Sequence, residues 1–167
     1  LSDVTDNRYY LTGSLLGPMV VDGITLDPGD ASRLPCVLVL DVNGNALWAA
    51  TIYGNGNIPG YVNAYSVKVV DNSVYVQCNG DCHEVRSTSS SAVAKFEGLF
   101  DGGGVAKLTT DGVPLWAADV PTWGYSVTAT RDAAYHCSPH VNSADWAYTF
   151  GDTTFVNWGP VDTYDAY

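Results

Sequence analysis

Positive charge is what this sequence has least of. Seven Lys and Arg stand against eighteen Asp and Glu, a formal net charge of −11. Phosphate recognition needs clustered cations, so nucleic acid and anionic membrane surfaces are excluded as partners. Glutamate is nearly missing as well. Sixteen of the eighteen acidic residues are Asp, and only Glu84 and Glu97 are Glu. Asp bonds to its own backbone and favours turns, whereas Glu favours helices, so this is the acid content of a chain with many turns. No apolar run reaches the length of a membrane span, which excludes insertion as a helix. No segment carries the 3.6-residue apolar period of a long helix. There is no Asn-x-Ser/Thr sequon, which points to prokaryotic rather than eukaryotic export. The one methionine is Met19, so Leu1 is not an initiator, and a processed end left by a removed signal peptide is expected.

What is present fits an exported all-β domain. The chain has 167 residues, 46% hydrophobic and 15% charged, enough to bury a core in one domain. Seventeen Gly and eight Pro add to the turns, and four cysteines suit a compartment where disulfides form. The chain also repeats itself. "LSDVTDNRYYLTG" (1–13) aligns without a gap on "SVKVVDNSVYVQC" (66–78) and on "SVTATRDAAYHCS" (126–138), which puts Tyr10, Tyr75 and Tyr135 in register. Each copy reads as a strand, a tight turn and a second strand. "VDGITL" (21–26) matches "FGDTTF" (150–155) and reads as a third short strand. "CVLVLDVNGNALWAA" (36–50) matches "GVAKLTTDGVPLWAA" (104–118), an apolar fourth strand, a Gly turn and an exit carrying Trp48 or Trp116. Both tryptophans are expected to be buried packing plugs. A period near sixty residues built of short strands predicts propeller blades.

The pattern "YYLTGSL…VDGITL…CVLVLDVNGNALWAATIYG" resembles the β-propeller repeat of secreted bacterial surface proteins called the SBBP repeat. The resemblance covers nearly the whole chain in two complete copies and one partial copy, and it implies blade architecture while saying almost nothing of a ligand. The expected fold is all-β, about two and a half four-stranded propeller-like blades open at both ends. The blades are repeat 1 at 1–65, repeat 2 at 66–125 and a partial repeat 3 at 126–167. Copy two departs most, with Cys78 in the place of Gly13 and "CNGDCHEVRSTSSSAV" in place of the shorter loop.

Several stretches invite chemistry. Asp41, Asn43 and Asn45 begin like a Ca²⁺ loop, but the Gly at its sixth position and the Glu at its twelfth are missing, so an Asn-Gly hairpin turn is the preferred reading. "CNGDCH" (78–83) has a stretched haem-attachment spacing, or could supply zinc with Cys78, Cys82 and His83 joined by His136 or Cys137. The preferred reading is a Cys78–Cys82 disulfide in an exposed loop, with no cofactor. Cys36 and Cys137 fall on apolar strands and read as buried hydrophobes. In "YHCSPH" (135–140), Ser138 lies between His136 and His140, but no Gly-x-Ser-x-Gly elbow accompanies it. Sixteen Asp allow many carboxylate pairs for glycoside hydrolysis, yet turns explain them already.

Trp123, Trp146 and Trp158 lie outside the repeat in Gly/Pro/Asn-rich loops. They read as interface anchors, or as rings for stacking on sugars. The first segment lacks an apolar strand before it and the last lacks one after it, so neighbouring molecules could complete each other. The sequence therefore predicts a non-enzymatic extracellular or cell-surface protein that self-associates head to tail in a structural or adhesive role. A glycan-binding module is the alternative, and a metal or haem protein the weaker one.

Overall fold

The alternating stretches fold as antiparallel hairpins because each is interrupted by a pair of residues able to take left-handed backbone. The computed structural model describes residues 2–5, 7–28, 33–54, 63–96, 103–120, 126–130, 134–137, 147–150 and 153–156. The first unit contains β1 (Ser2–Thr5), β2 (Arg8–Leu15), β3 (Met19–Val21), β4 (Ile24–Leu26), β5 (Leu34–Asp41) and β6 (Ala46–Gly54). The second contains β7 (Asn63–Val70), β8 (Ser73–Asn79), β9 (Cys82–Ser87), β10 (Ser90–Lys95), β11 (Gly103–Thr109) and β12 (Pro114–Val120). A third begins with β13 (Ser126–Ala129), β14 (Ala134–Cys137), β15 (Ala147–Phe150) and β16 (Thr153–Val156). The fold is all-β with antiparallel sheets, none of them closed, and no helix occurs among the described residues.

Two of the units share one plan, a four-stranded meander. β1, β2, β5 and β6 are neighbours in that order, and so are β7, β8, β11 and β12. This corrects the strand assignment read from the sequence. "VDGITL" is not the third strand of a blade but the turn and flanks of the separate β3–β4 hairpin, with Val21 paired to Ile24. Asp22 (φ 48°) and Gly23 (φ 81°) are both left-handed, which closes a two-residue hairpin turn and leaves too few residues to span the sheet. The strand that completes each meander is instead the Trp-bearing exit, β6 or β12.

All three units carry a hairpin inserted after their second strand. The innermost pairs are Val21 with Ile24, Ser87 with Ser90 and Phe150 with Thr153. The hairpin of the second unit does not stay with its own sheet. β9 pairs with β6, so the first sheet becomes six-stranded in the order β1-β2-β5-β6-β9-β10. An edge strand left bare exposes a row of backbone donors and acceptors, and β9 covers the edge of β6.

The core forms in layers. Val37, Val39, Trp48 and Ile52 of the first sheet meet Val67, Val74, Val76 and Leu108 of the second in one cluster. Leu26 and its neighbours on β3–β4 cover the outer face of the first sheet over Leu34, Cys36 and Ala49. On the far side of the second sheet, Tyr75, Val105 and Val120 pack against Val127 of β13. β8 is therefore buried on both faces, with Val74 and Val76 on one side and Tyr75 on the other. Gly104 permits a close approach within these layers, since a Cβ there would run into the Phe96 ring.

Candidate functional site

The repeated Gly turn, which first marks the repeat in the sequence, is also where one unit grips the next. After β5, Asp41 N donates to Asn45 O at 2.9 Å and Gly44 N donates to Asp41 O at 3.1 Å. After β11, Thr109 N donates to Val113 O at 2.9 Å and Gly112 N donates to Thr109 O at 2.9 Å. The side chain at the head of each turn caps it. Asp41 Oδ1 accepts from the backbone N–H of Asn43 and of Asn45, both at 2.8 Å, and Oδ2 accepts from Asn45 Nδ2 at 2.8 Å. Thr109 Oγ1 accepts from Val113 N at 3.1 Å. Gly44 (φ 86°) and Gly112 (φ 85°) supply the left-handed residue that each turn needs.

The residues of the Ca²⁺-loop reading, Asp41, Asn43 and Asn45, are the ones that make these bonds. The carboxylate of Asp41 is spent on the turn, and the amide of Asn45 presents its N–H₂ to it rather than its oxygen. Those bonds, first the Asn45 side chain, hold the Asp41 carboxyl below its ordinary pKa. Among the described residues no cluster of three or more His, Cys, Asp or Glu could hold a metal ion.

The Trp that follows each turn stands in one register. Tyr10 pairs with Val39 and Val39 with Trp48, while Tyr75 pairs with Lys107 and Lys107 with Trp116. Each Trp follows a β-bulge, which leaves Leu47 or Leu115 as the extra residue. The bulge sets the ring edge-on to the Tyr two strands away. Ring centroids lie 6.5 Å apart at 69° for Tyr10 and Trp48, and 6.3 Å apart at 66° for Tyr75 and Trp116.

The two tryptophans part company in what covers them. The second unit's turn lies on Trp48. Trp48 Nε1 donates to Thr110 O at 2.9 Å, and Arg8 Nη1 donates to the same oxygen at 2.6 Å and to Asp111 Oδ1 at 3.3 Å. Ser89 Oγ donates to Asp111 O at 2.8 Å. The fit is tight enough that a Cβ on Gly112 would meet Trp48 Cδ2 at 2.7 Å. Trp48 is consequently 3% exposed. Trp116 is only partly buried, packed beside Tyr75, and no acceptor faces its indole N–H among the described residues. Equal burial of both tryptophans is thus corrected. The repeat fixes their position in the sheet, and the neighbouring unit fixes their exposure.

"CNGDCH" also sits differently from its sequence reading. It is a turn at Gly80 (φ 103°) and Asp81 between β8 and β9, and both cysteines are buried on the strands rather than held in an exposed loop. Cys36, Cys78 and Cys82 are free thiols in this structure. The Cys82 thiol is hydrogen-bonded to the Cys78 sulfur, and Cys78 Sγ donates to Gly104 O at 3.6 Å. That bond and burial push the Cys82 pKa well up, and burial pushes Cys36 to about 11. His83 is exposed, turned away from the buried sulfur pair. His136 and Cys137 are described in backbone alone, on β14. Trp123, Trp146, Trp158, Ser138 and His140 lie outside the described residues.

Sequence reasoning missed Arg8, Ser89 and Thr110 as partners of the repeat. The scarcity of cations was the available signal, since an Arg retained beside a strand turn in so acidic a chain has a partner to find. A shallow groove between the β3–β4 hairpin and the first sheet brings together Thr25, Asp27, Thr51, Tyr53, Arg86 and Thr88. The Arg86 guanidinium lies 4.9 Å over the Tyr53 ring and pairs with Glu84. In the comparisons with known proteins, no family model, no curated protein and no solved structure matches this chain.

Proposed function

We propose that this chain is a non-enzymatic, extracellular structural or adhesive protein whose blade-like units, similar to SBBP-type propeller repeats, assemble head to tail. The observation that carries the reading is the grip of the second unit's turn on Trp48, because it joins successive units by an element that both units possess. A contact made between a repeated plug and a repeated socket can be made again by another copy. Such heterologous contacts close into rings or extend into filaments. Light scattering of the purified chain from about 1 to 100 μM, with negative-stain images of the same samples, tests it. A mass rising with concentration and rings or fibres in the images are expected. A monomer throughout would overturn it.

One observation favours a second reading, glycan binding. The groove beside Tyr53 joins an aromatic ring to hydroxyl and charged groups, the combination that grips a sugar's apolar face and its hydroxyls together. A glycan array probed with the chain and with Tyr53→Ala decides it. Selective binding lost in the variant is expected on this reading, and no bound glycan would remove it.

A further inference from the structure

Among the described residues there are one filled socket, one unfilled socket and one undocked plug, all of the same design. Turn 109–113 fills the Trp48 socket. Trp116 stands in the matching register, bulge and ring geometry on the second sheet, yet none of the described residues offers its N–H an acceptor. Turn 41–45 has the same backbone bonds and the same left-handed glycine as the docked turn, and a Cβ on Gly44 would meet nothing within 4 Å. β13 covers this face of the second sheet over β7 and β8, whereas Trp116 is on β12, the strand at the opposite edge.

We propose that Trp116 is the docking site for turn 41–45 of a second copy of this chain. The indole N–H would bond the carbonyl of Val42, the position that Thr110 holds in the docked turn, with Gly44 against the ring face. This deepens the assembly reading and rests on it. Two further positions favour a copy of this chain as occupant. Ser73 occupies on β8 the place of Arg8 on β2, each directly following a strand turn and paired to the head of the Gly turn. Asn43 occupies the place of Asp111. The Arg8–Asp111 ion pair is therefore missing from the socket and from the plug together, so neither side is left with an unpaired half.

The test is sedimentation velocity of the intact chain and four variants. Trp116→Phe keeps the ring and removes the donor, and Gly44→Ala puts a methyl where the indole must lie. Each is expected to weaken association about tenfold, the size of one lost hydrogen bond or a mild clash. Asn43→Asp with Ser73→Arg installs the ion pair across the contact, and the double variant is expected to associate more tightly than its two single variants predict when combined. Circular dichroism on each variant checks that it is folded. An intact chain that stays monomeric overturns the assembly reading and this contact with it. An intact chain that associates, with Trp116→Phe and Gly44→Ala associating equally well, overturns this contact alone and leaves assembly to other surfaces.

Discussion

Trp48 and Trp116 have equivalent strands, registers, bulges and Tyr partners in their two sheets, so substituting each measures what docking adds. Trp48→Ala removes a 3% exposed indole from the cluster between the sheets, together with its bond to Thr110 O. Large aromatic truncations of this kind cost about 3–5 kcal/mol. Trp116→Ala removes a ring that solvent already reaches, and about half that cost is expected from the smaller area lost. Trp48→Phe isolates the polar part of the contact. Thr110 O keeps its 2.6 Å bond from Arg8, so no acceptor is orphaned and only about 1 kcal/mol is lost. A chain of this size shifts its Tm by about 2–4 °C per kcal/mol. Trp48→Ala should therefore melt roughly 6–20 °C below the parent, and Trp116→Ala roughly half as far below. Urea unfolding followed by circular dichroism, at a concentration where scattering reports monomer, gives the free energies directly. If the two alanine variants lose equal stability in the monomer, turn 109–113 does not stabilise Trp48, and the docking argument fails.

The same contact predicts an asymmetry between two glycines. Gly112→Ala meets backbone strain and the Trp48 ring, whereas Gly44→Ala in the monomer meets backbone strain alone, so the first should cost about 1–3 kcal/mol more in urea titration. Asp41 has a depressed pKa in the fold, so its contribution is present above the unfolded value and lost as pH falls through the folded one; acid titrations of the parent and Asp41→Asn should diverge above about pH 4 and converge below it. Cys36 has a raised pKa, so its thiol contribution is present below the unfolded value and lost as pH rises toward about 11; Cys36→Ala should flatten the alkaline limb of stability, and iodoacetamide should label Cys36 only after unfolding. Because the Cys78 and Cys82 sulfurs adjoin, mild oxidation should remove two hydrogens from the intact mass, and Cys82→Ser should abolish that loss.

The hairpins and the Gly turns were legible because their causes are local. An Asp or Thr at the head, a Gly at the left-handed position and a Leu-Trp exit fix a turn within a few residues, and the second copy repeats the recipe. The sheet to which "CHEVRS" belongs was not legible. Whether β9 stays with β8 or crosses to β6 depends on which edge lies open beside it, and nothing within those six residues encodes that. The cysteines misled for the same reason. A short stretch rich in Asn, Gly and Asp looks like a loop, but only the Gly80–Asp81 turn is one, and the strands on either side draw both sulfurs into the core. Equal spacing of the tryptophans gave their equal place in each sheet, yet exposure belongs to the order of units.

One substitution within the repeat does record that order. Val39, fully buried between Tyr10 and Trp48, becomes Lys107 between Tyr75 and Trp116. A lysine cannot be enclosed as Val39 is without losing its charge or finding a partner. Lys107 instead lies with its Nζ 5.1 Å from the Tyr75 ring centroid, where the ring attracts the ammonium and water still reaches it. The first sheet thus offers a dry seat for Trp48, and the second a wet one for Trp116. The dry seat suits a permanent contact within the chain. On the proposed assembly, the wet seat suits a contact that forms and releases, because separating it exposes no surface that solvent cannot already satisfy. The repeat supplies the same sheet geometry at both places, and on the proposed assembly the residue between Tyr and Trp sets how firmly each contact is held.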